Sequence, residues 1–268
     1  MRLTMTRHFR TLHVWFTLLP VFFCFLTPAL RCQEATNEEI IKKLFDDAIK
    51  AMGGDAYLAV RDMTSEGQYF KFNHRGASSG LIKFTDYTKL PDKSRFELGN
   101  KKKELDITVF DLAKNEGWIL EGQKEVKAAT ADEMKGFRNT ANHSSDNIFH
   151  FRYKDPRNRL FYLGPNESAN VTLEMVKIID PENDDVVVYF DRISKLPVKI
   201  ESWRINDRGI RVREVNEYSQ WHWIQGVNTP LRIDGYTNGR LSSQHFILKI
   251  SYNNNIKDEF FSKPVPKK

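Results

Sequence analysis

The stretch TPLRIDGYTNGRLSSQHFILKISY, residues 229–252, decides the fold. Two runs with a period of two flank Asn238-Gly239, and alternate side chains of an extended chain fall on one face. A two-residue connection with positive φ at both positions joins antiparallel strands with the proper twist, and Asn-Gly adopts it at least cost. Thr229–Tyr236 and Leu241–Tyr252 are therefore predicted to form a β-hairpin. By this count Phe246, Leu248, Ile250 and Tyr252 share one face, while Ser243, His245, Lys249 and Ser251 hold the other.

The same period extends upstream. Predicted strands are Thr64–Asn73, Gly80–Tyr87, Ser94–Leu98, Leu105–Asp111, Glu116–Glu121, Leu160–Leu163, Val171–Ile179, Val186–Asp191, Leu196–Ile205 and Ile210–Tyr218. Turn chemistry separates them at Asn73-His-Arg-Gly76, Pro91-Asp92, Pro181-Glu-Asn-Asp184 and Asp207-Arg-Gly209. In Leu196–Ile205, Val198 and Ile200 oppose Lys199 and Glu201. One apolar and one wet face is the pattern of an antiparallel sheet covered on one side. Either that face packs on a helix and closes a core, or the sheet curls and keeps part of it open for an apolar ligand.

Two helical regions interrupt the pattern. Thr36 and Glu39 have capping-box spacing ahead of Ile40, Ile41, Leu44, Phe45, Ala48, Ile49 and Met52, and Gly53-Gly54 ends that helix. Between Thr130 and Tyr153, Ala131, Met134, Phe137, Ile148, Phe149 and Phe151 have helical spacing around an Asn/Ser-rich break, which predicts two short helices.

The first residues predict export. Arg2, Arg7 and Arg10 precede a short apolar run from Val14 to Leu26, broken by Thr17 and Pro20. Such a run is too short to span a membrane comfortably and fits a secretory signal. The expected organisation is a signal peptide at 1–32 and a single β domain at 33–268. The chain has 41 basic and 35 acidic residues, a net charge of +6. Residues 1–32 hold four arginines and no acid, so 37 basic residues stand against 35 acidic ones in the remainder, a net of +2. That near balance gives no warrant for nucleic-acid binding. Both cysteines, Cys24 and Cys32, fall in or at the end of the leader, which leaves no internal disulfide or thiolate cluster in the mature chain.

No catalytic motif stands out, and no enzyme activity, cofactor or metal is expected. There is no Walker loop, no G-x-G-x-x-G and no H-E-x-x-H. His143 and His150 lie seven apart, too far for ligands on adjacent helical turns. Asp46-Asp47 and Asp184-Asp185 are adjacent and so point apart rather than forming an acid–base pair. Lys101-Lys102-Lys103 reads as a solvated turn, and Trp221 and Trp223, opposite His222, as core residues or, as the sharper alternative, an amphipathic rim.

Several short motifs carry a resemblance: Val109-Phe-Asp111 with Glu116-Gly-Trp118, Tyr189-Phe-Asp191 with Leu196-Pro-Val198, Asn216-Glu-Tyr218, Gly226, Pro230-Leu231, Asn238-Gly239 and Asn255–Phe260. Together with the order of elements, they resemble the LolA-like family of outer-membrane lipoprotein-sorting proteins. The resemblance implies a mainly β fold with a few helices. A curved antiparallel sheet would form an incomplete β-barrel, its concave face covered by the N-terminal helix and the mid-chain helical insertion. It implies a non-enzymatic periplasmic protein, secreted across the inner membrane and associated with the outer membrane. Its ligand would be a lipid or lipoprotein acyl chain, and its partner an inner- or outer-membrane envelope protein. Candidate ligand-facing residues are Val198, Ile200, Leu231, Ile233, Phe246, Leu248, Ile250 and Trp118. An envelope sensor or adaptor that binds another protein through the same fold is the rival expectation. One departure stands out: at Lys89-Leu90-Pro91 a leucine precedes the proline, where the carrier itself has a basic residue.

Overall fold

A computed structural model describes residues 36–168, 171–205 and 209–266. The expected leader at 1–32, both cysteines and the Asp207-Arg208 part of the expected turn lie outside the described residues.

The opening helix forms where its cap predicts. In α1 (Asn37–Met52) the Thr36 side chain accepts from the Glu39 amide and the Glu39 carboxylate accepts from the Thr36 amide, which satisfies two otherwise orphaned donors. Ile41, Phe45, Ala48, Ile49 and Met52 are buried along one stripe. Gly53 ends the helix with φ 128°, and α2 (Asp55–Leu58) follows.

Thirteen strands then make one antiparallel sheet: β1 Asp62–Lys71, β2 Ile82–Lys89, β3 Lys93–Leu98, β4 Asp106–Asp111, β5 Glu116–Glu121, β6 Glu125–Ala128, β7 Arg159–Ser168, β8 Val171–Ile179, β9 Asp185–Asp191, β10 Pro197–Ile205, β11 Arg211–Ile224, β12 Val227–Thr237 and β13 Arg240–Tyr252. Their order is β6-β5-β4-β3-β2-β1-β13-β12-β11-β10-β9-β8-β7. The first strand pairs with the last, joining two meanders, and β6 and β7 remain as unpaired edges, so the barrel is incomplete. The mid-chain insertion forms α3 (Ala131–His143) and α4 (Ser145–His150) between those edges. Among the described residues no helix is long and apolar enough to cross a membrane.

The two halves of the sheet are covered on opposite faces. On the inner face α1, α2 and α4 pack over β8–β12, where Phe45 and Phe149 are fully buried with Val176, Ile178, Val186, Val188, Phe190 and Ile200. Phe45 stacks on Tyr153 at 4.3 Å and meets Phe149 and Phe190 at 5.1 Å each. Each such apolar side chain contributes about 1.5–3 kcal/mol by leaving water. On the outer face a second cluster, Ile107, Val109 and Leu120, lies under Phe261, and Tyr87, Leu105, Trp118, Val126 and Ile256 complete it. The C-terminal segment is thus a strap, and the Lys89 ammonium holds it by donating to the Ile256 carbonyl at 2.9 Å.

The register corrects the alternation expected in the last strand. Glu66 pairs with Lys249, but the next residue, Gly67, pairs with Ile247, so Leu248 is an extra residue in a β-bulge. One inserted residue reverses the face of everything beyond it. Ile250 and Tyr252 share the inner face with Ile247 and His245, whereas Phe246 stands outside against Arg232 and Phe70. Leu248 is 69% exposed. β11 also runs six residues further than expected, through both tryptophans to Ile224, and turns at Gln225-Gly226. Trp221 packs on the main core and Trp223 is exposed, so the doublet is divided.

Candidate functional site

The inner face of β1–β5 is where apolar residues accumulate without being sealed. Directly paired residues share a face, so the ladder can be followed strand by strand. Ile250 pairs with Ser65, Ser65 with Asp86, Asp86 with Phe96, Phe96 with Thr108 and Thr108 with Ile119. A second row runs from Ile247 through Gly67, Phe84 and Leu98 to Asp106. A third runs from His245 through Tyr69 to Ile82. Apart from Phe84, which is 5% exposed, the apolar side chains here are half-buried: Tyr69, Ile82, Phe96, Leu98, Ile119 and Ile247. Phe84 stacks on Phe96 at 5.8 Å and meets the His245 ring edge-on at 5.6 Å, and Tyr69 touches that ring at 4.7 Å. They form an aromatic trough beside the main core.

Helices bound the trough. α3 reaches over its far side, where Phe137 stacks on Phe110 at 4.9 Å and Met134 is buried over Gly117. Its other end is tied to the β8–β9 turn by His143 Nε2, 2.8 Å from the Asp184 carboxylate. α4 closes the end near Thr88, where Asn147 donates to the Pro91 carbonyl at 2.7 Å. From α4, Asp146 accepts from the Tyr57 hydroxyl at 3.4 Å, and Tyr252 and Thr229 exchange a hydrogen bond of 2.6 Å close by. At the opposite end, toward Tyr69, Ile82 and Leu98, the strands run out to exposed loops.

The electrostatics follow from this burial. Desolvation lowers the His245 imidazole to about 4, so the ring is neutral at physiological pH and serves as part of the apolar wall. Burial pushes Asp86 up to about 6, the hydroxyls of Ser94 and Thr88 oppose that rise, and Asp146 adds to it. Asp146 is itself raised by burial, against the pull of His150 and the Tyr57 hydroxyl. Tyr218 and Tyr252 lie well above the usual phenol range because burial disfavours their phenolates.

A groove of about 570 Å³ lies elsewhere, between the first turns of α1 and the β7–β9 edge. Its rim is already satisfied: Glu174 accepts from Tyr162 at 2.6 Å and from Arg192 at 2.8 Å, and its floor is the core residue Phe190. It is a crease at the margin of the core rather than a lined trough.

The sequence-predicted residues are scattered. Ile200 is a buried core residue, and Val198, Ile233 and Ile250 are half-buried against the same core, the last two on the strands that border the trough. Leu231 is half-buried in β12, at the level of Gln220 of β11, whose φ is 56°. Phe246 and Leu248 face outward for the reason given above. Trp118 pairs with Val109 on the outer face, under the strap, with the Lys263 ammonium 5.0 Å from its ring centroid. Sequence reasoning missed Tyr69, Ile82, Phe84, Asp86, Phe96, Phe110, Ile119, His245 and Ile247. The alternation of Ile82, Phe84 and Asp86, and of Phe96 and Leu98, was visible, but not which strand each would pair with.

No family model matches the sequence, and no curated protein does. Solved structures do. A LolA superfamily protein from Nitrosomonas europaea aligns over 83% of this chain and 97% of its own, with a TM-score of 0.56 at 10% identity. A DUF1329 family protein from Desulfovibrio piger covers the same shares at TM-score 0.57 and 12% identity. A domain described as an outer-membrane lipoprotein-sorting protein, from Vibrio parahaemolyticus, aligns over 82% and 96% at TM-score 0.51 and 12% identity.

The fold is LolA-like.

Within this LolA-like sheet, the departure at Lys89-Leu90-Pro91 has a structural outcome. Leu90 packs on the main core, and Lys89 pairs with Asp258 of the strap, so neither side chain is free to hold a lid over the trough. Gly76-Ala-Ser-Ser-Gly80 has the G-x-S-x-G spacing of a nucleophile elbow. That elbow requires a sharp strand-to-helix turn. Here the segment is an exposed β1–β2 connection in which the Ser78 hydroxyl accepts from the Gly80 amide. His150 faces the Asp146 and Tyr57 carbonyls, at 2.9 and 3.0 Å. The described residues include no group of three or more His, Cys, Asp or Glu placed to hold a metal.

Proposed function

We propose that this chain is a non-enzymatic envelope protein that takes the acyl or alkyl chain of a lipid or lipoprotein into the trough on the inner face of β1–β5. The single observation that supports this is a contiguous set of aromatic and aliphatic side chains, Tyr69, Ile82, Phe96, Leu98, Ile119 and Ile247, left half-buried on one face beside the main core. Each methylene buried there gains about 0.8 kcal/mol, so a long chain binds without any polar anchor. In this reading residues 1–32 are a cleaved leader. N-terminal sequencing should find the mature chain starting between Ala29 and Cys32, and an intact Met1 would contradict it.

Displacement of a fluorescent fatty-acyl probe tests the site, with circular dichroism to confirm folding. Phe96→Glu should weaken the probe by at least about tenfold, roughly 1.4 kcal/mol, because it replaces an aromatic wall with a second carboxylate beside Asp86. Ile119→Ser offers a milder change if the glutamate unfolds the domain. Leu248→Glu, on the outer bulge, should bind as wild type. Wild-type affinity in a folded Phe96→Glu protein would remove the trough from the reading. Failure of the wild type to bind any chain length would move it to the adaptor alternative.

A further inference from the structure

The trough carries a charge that its apolar ligand class does not require. On the inner face of β1–β5 the register places Asp86 in mid-strand, paired with Phe96 on one side and Ser65 on the other. Phe84 and Thr88 are its neighbours two residues away on the same face. Its partners among the described residues are the hydroxyls of Thr88 and Ser94, at long distances of 3.5 and 3.4 Å. A half-buried carboxylate beside Phe84 and Phe96, held only by long contacts from two hydroxyls, is poorly compensated. Asp146 enters from α4 as a second carboxylate at the same end. The one basic residue that the same face carries on β1–β5 is Lys71, exposed at the far end of β1. Arg138 of α3 is turned to Asn115. His150 of α4 lies against Asp146 and offsets it, so the charge left without a cationic partner among the described residues of the trough is Asp86, beside Phe84 and Phe96.

Resting on the trough as the ligand site, the geometry points to a ligand whose inserted end is cationic: an amine-bearing amphiphile that places its ammonium group on Asp86, between Phe84 and Phe96, with its hydrocarbon running out past Ile82, Leu98 and Tyr69. An ammonium group supplies what Asp86 lacks. It donates directional hydrogen bonds to the carboxylate and is attracted to the faces of the neighbouring rings. A fatty acid presents the wrong sign to Asp86, and a neutral alcohol gains only a weak hydrogen bond. A low-dielectric wall strengthens the difference.

Hexadecylamine, hexadecanol and palmitate, matched in chain length, are titrated against the fluorescent probe on the wild type and on Asp86→Asn. The wild type should bind the amine at least about tenfold more tightly than the alcohol, with palmitate weakest. In Asp86→Asn the amine should fall to the level of the alcohol. Equal binding of all three by the wild type overturns the cationic ligand and leaves the apolar trough standing. So does an amine preference that survives in Asp86→Asn. Binding of none of them overturns both readings, and loss of all binding in Asp86→Asn with its fold intact would make Asp86 a general support of the trough rather than the seat of an ammonium group.

Discussion

At Asp86 a single carboxylate sets a pH dependence that can be read without any ligand. Burial raises it to about 6 in the folded chain, against about 3.9 for an aspartate in an unfolded one. The folded state therefore holds more protons than the unfolded state between those values, and stability falls as pH rises through them. Asp86→Asn carries no such term. The variant should be more stable than the wild type by about 2 kcal/mol at about pH 8, and the gap should close toward about pH 4. Urea unfolding of both proteins at the two pH values checks this, and identical midpoints throughout would mean that the carboxylate is well solvated. Leu248 makes the complementary point at the same scale. The sequence count was correct for an unbroken strand, but one bulged residue moved Leu248 and Phe246 to the outer face. Nothing local in Phe-Ile-Leu-Lys announces that bulge; it is seen only against Glu66 and Gly67 across the ladder.

Elements were more legible than faces. The capping box at Thr36, the helical insertion and the hairpin at Asn238-Gly239, with φ 49° and 79°, all form as their local chemistry predicts. Local signals were enough because each depends on neighbours in sequence. The turn at Gln225-Gly226 went unread, since glutamine is an uncommon carrier of positive φ. It matters because it receives the end of α1. A Cβ on Gly53 would collide with the Gly226 carbonyl, whereas a Cβ on Gly239 would have no atom within 4 Å. Both glycines have positive φ, so both Ala substitutions lose backbone freedom, but only Gly53→Ala also pries the helix from the turn. Gly239→Ala should cost about 1 kcal/mol and Gly53→Ala at least about 2 kcal/mol. Thermal melts of the two variants compare them, and equal losses would mean that α1 and the β11–β12 turn yield without strain.

For the molecule as a whole, the informative asymmetry is that one sheet is covered twice, on different faces and by different means. Over β8–β12 three helices seal the inner face, and over β4–β5 the C-terminal strap seals the outer one. That division leaves a contiguous set of half-buried apolar side chains on the inner face of β1–β5. It also explains why Trp118, read as a ligand contact, belongs to the strap. The antiparallel sheet could be read from periodicity, and its incomplete barrel from the family resemblance that the short hairpin motifs carry. The site could not, because it depends on which half of a thirteen-strand sheet the helices occupy, and periodicity is blind to that.

Isoleucine methyl groups report on all three environments at once: Ile82, Ile119 and Ile247 line the trough, Ile178 is buried in the main core, and Ile107 lies under the strap. Methyl NMR during titration with hexadecanol is therefore the most direct test of the trough as the ligand site. The resonances of Ile82, Ile119 and Ile247 should shift and saturate together while Ile178 and Ile107 stay in place. Movement of Ile107 or Ile178 with the other three unmoved, or no saturable change at any of the five, would contradict it.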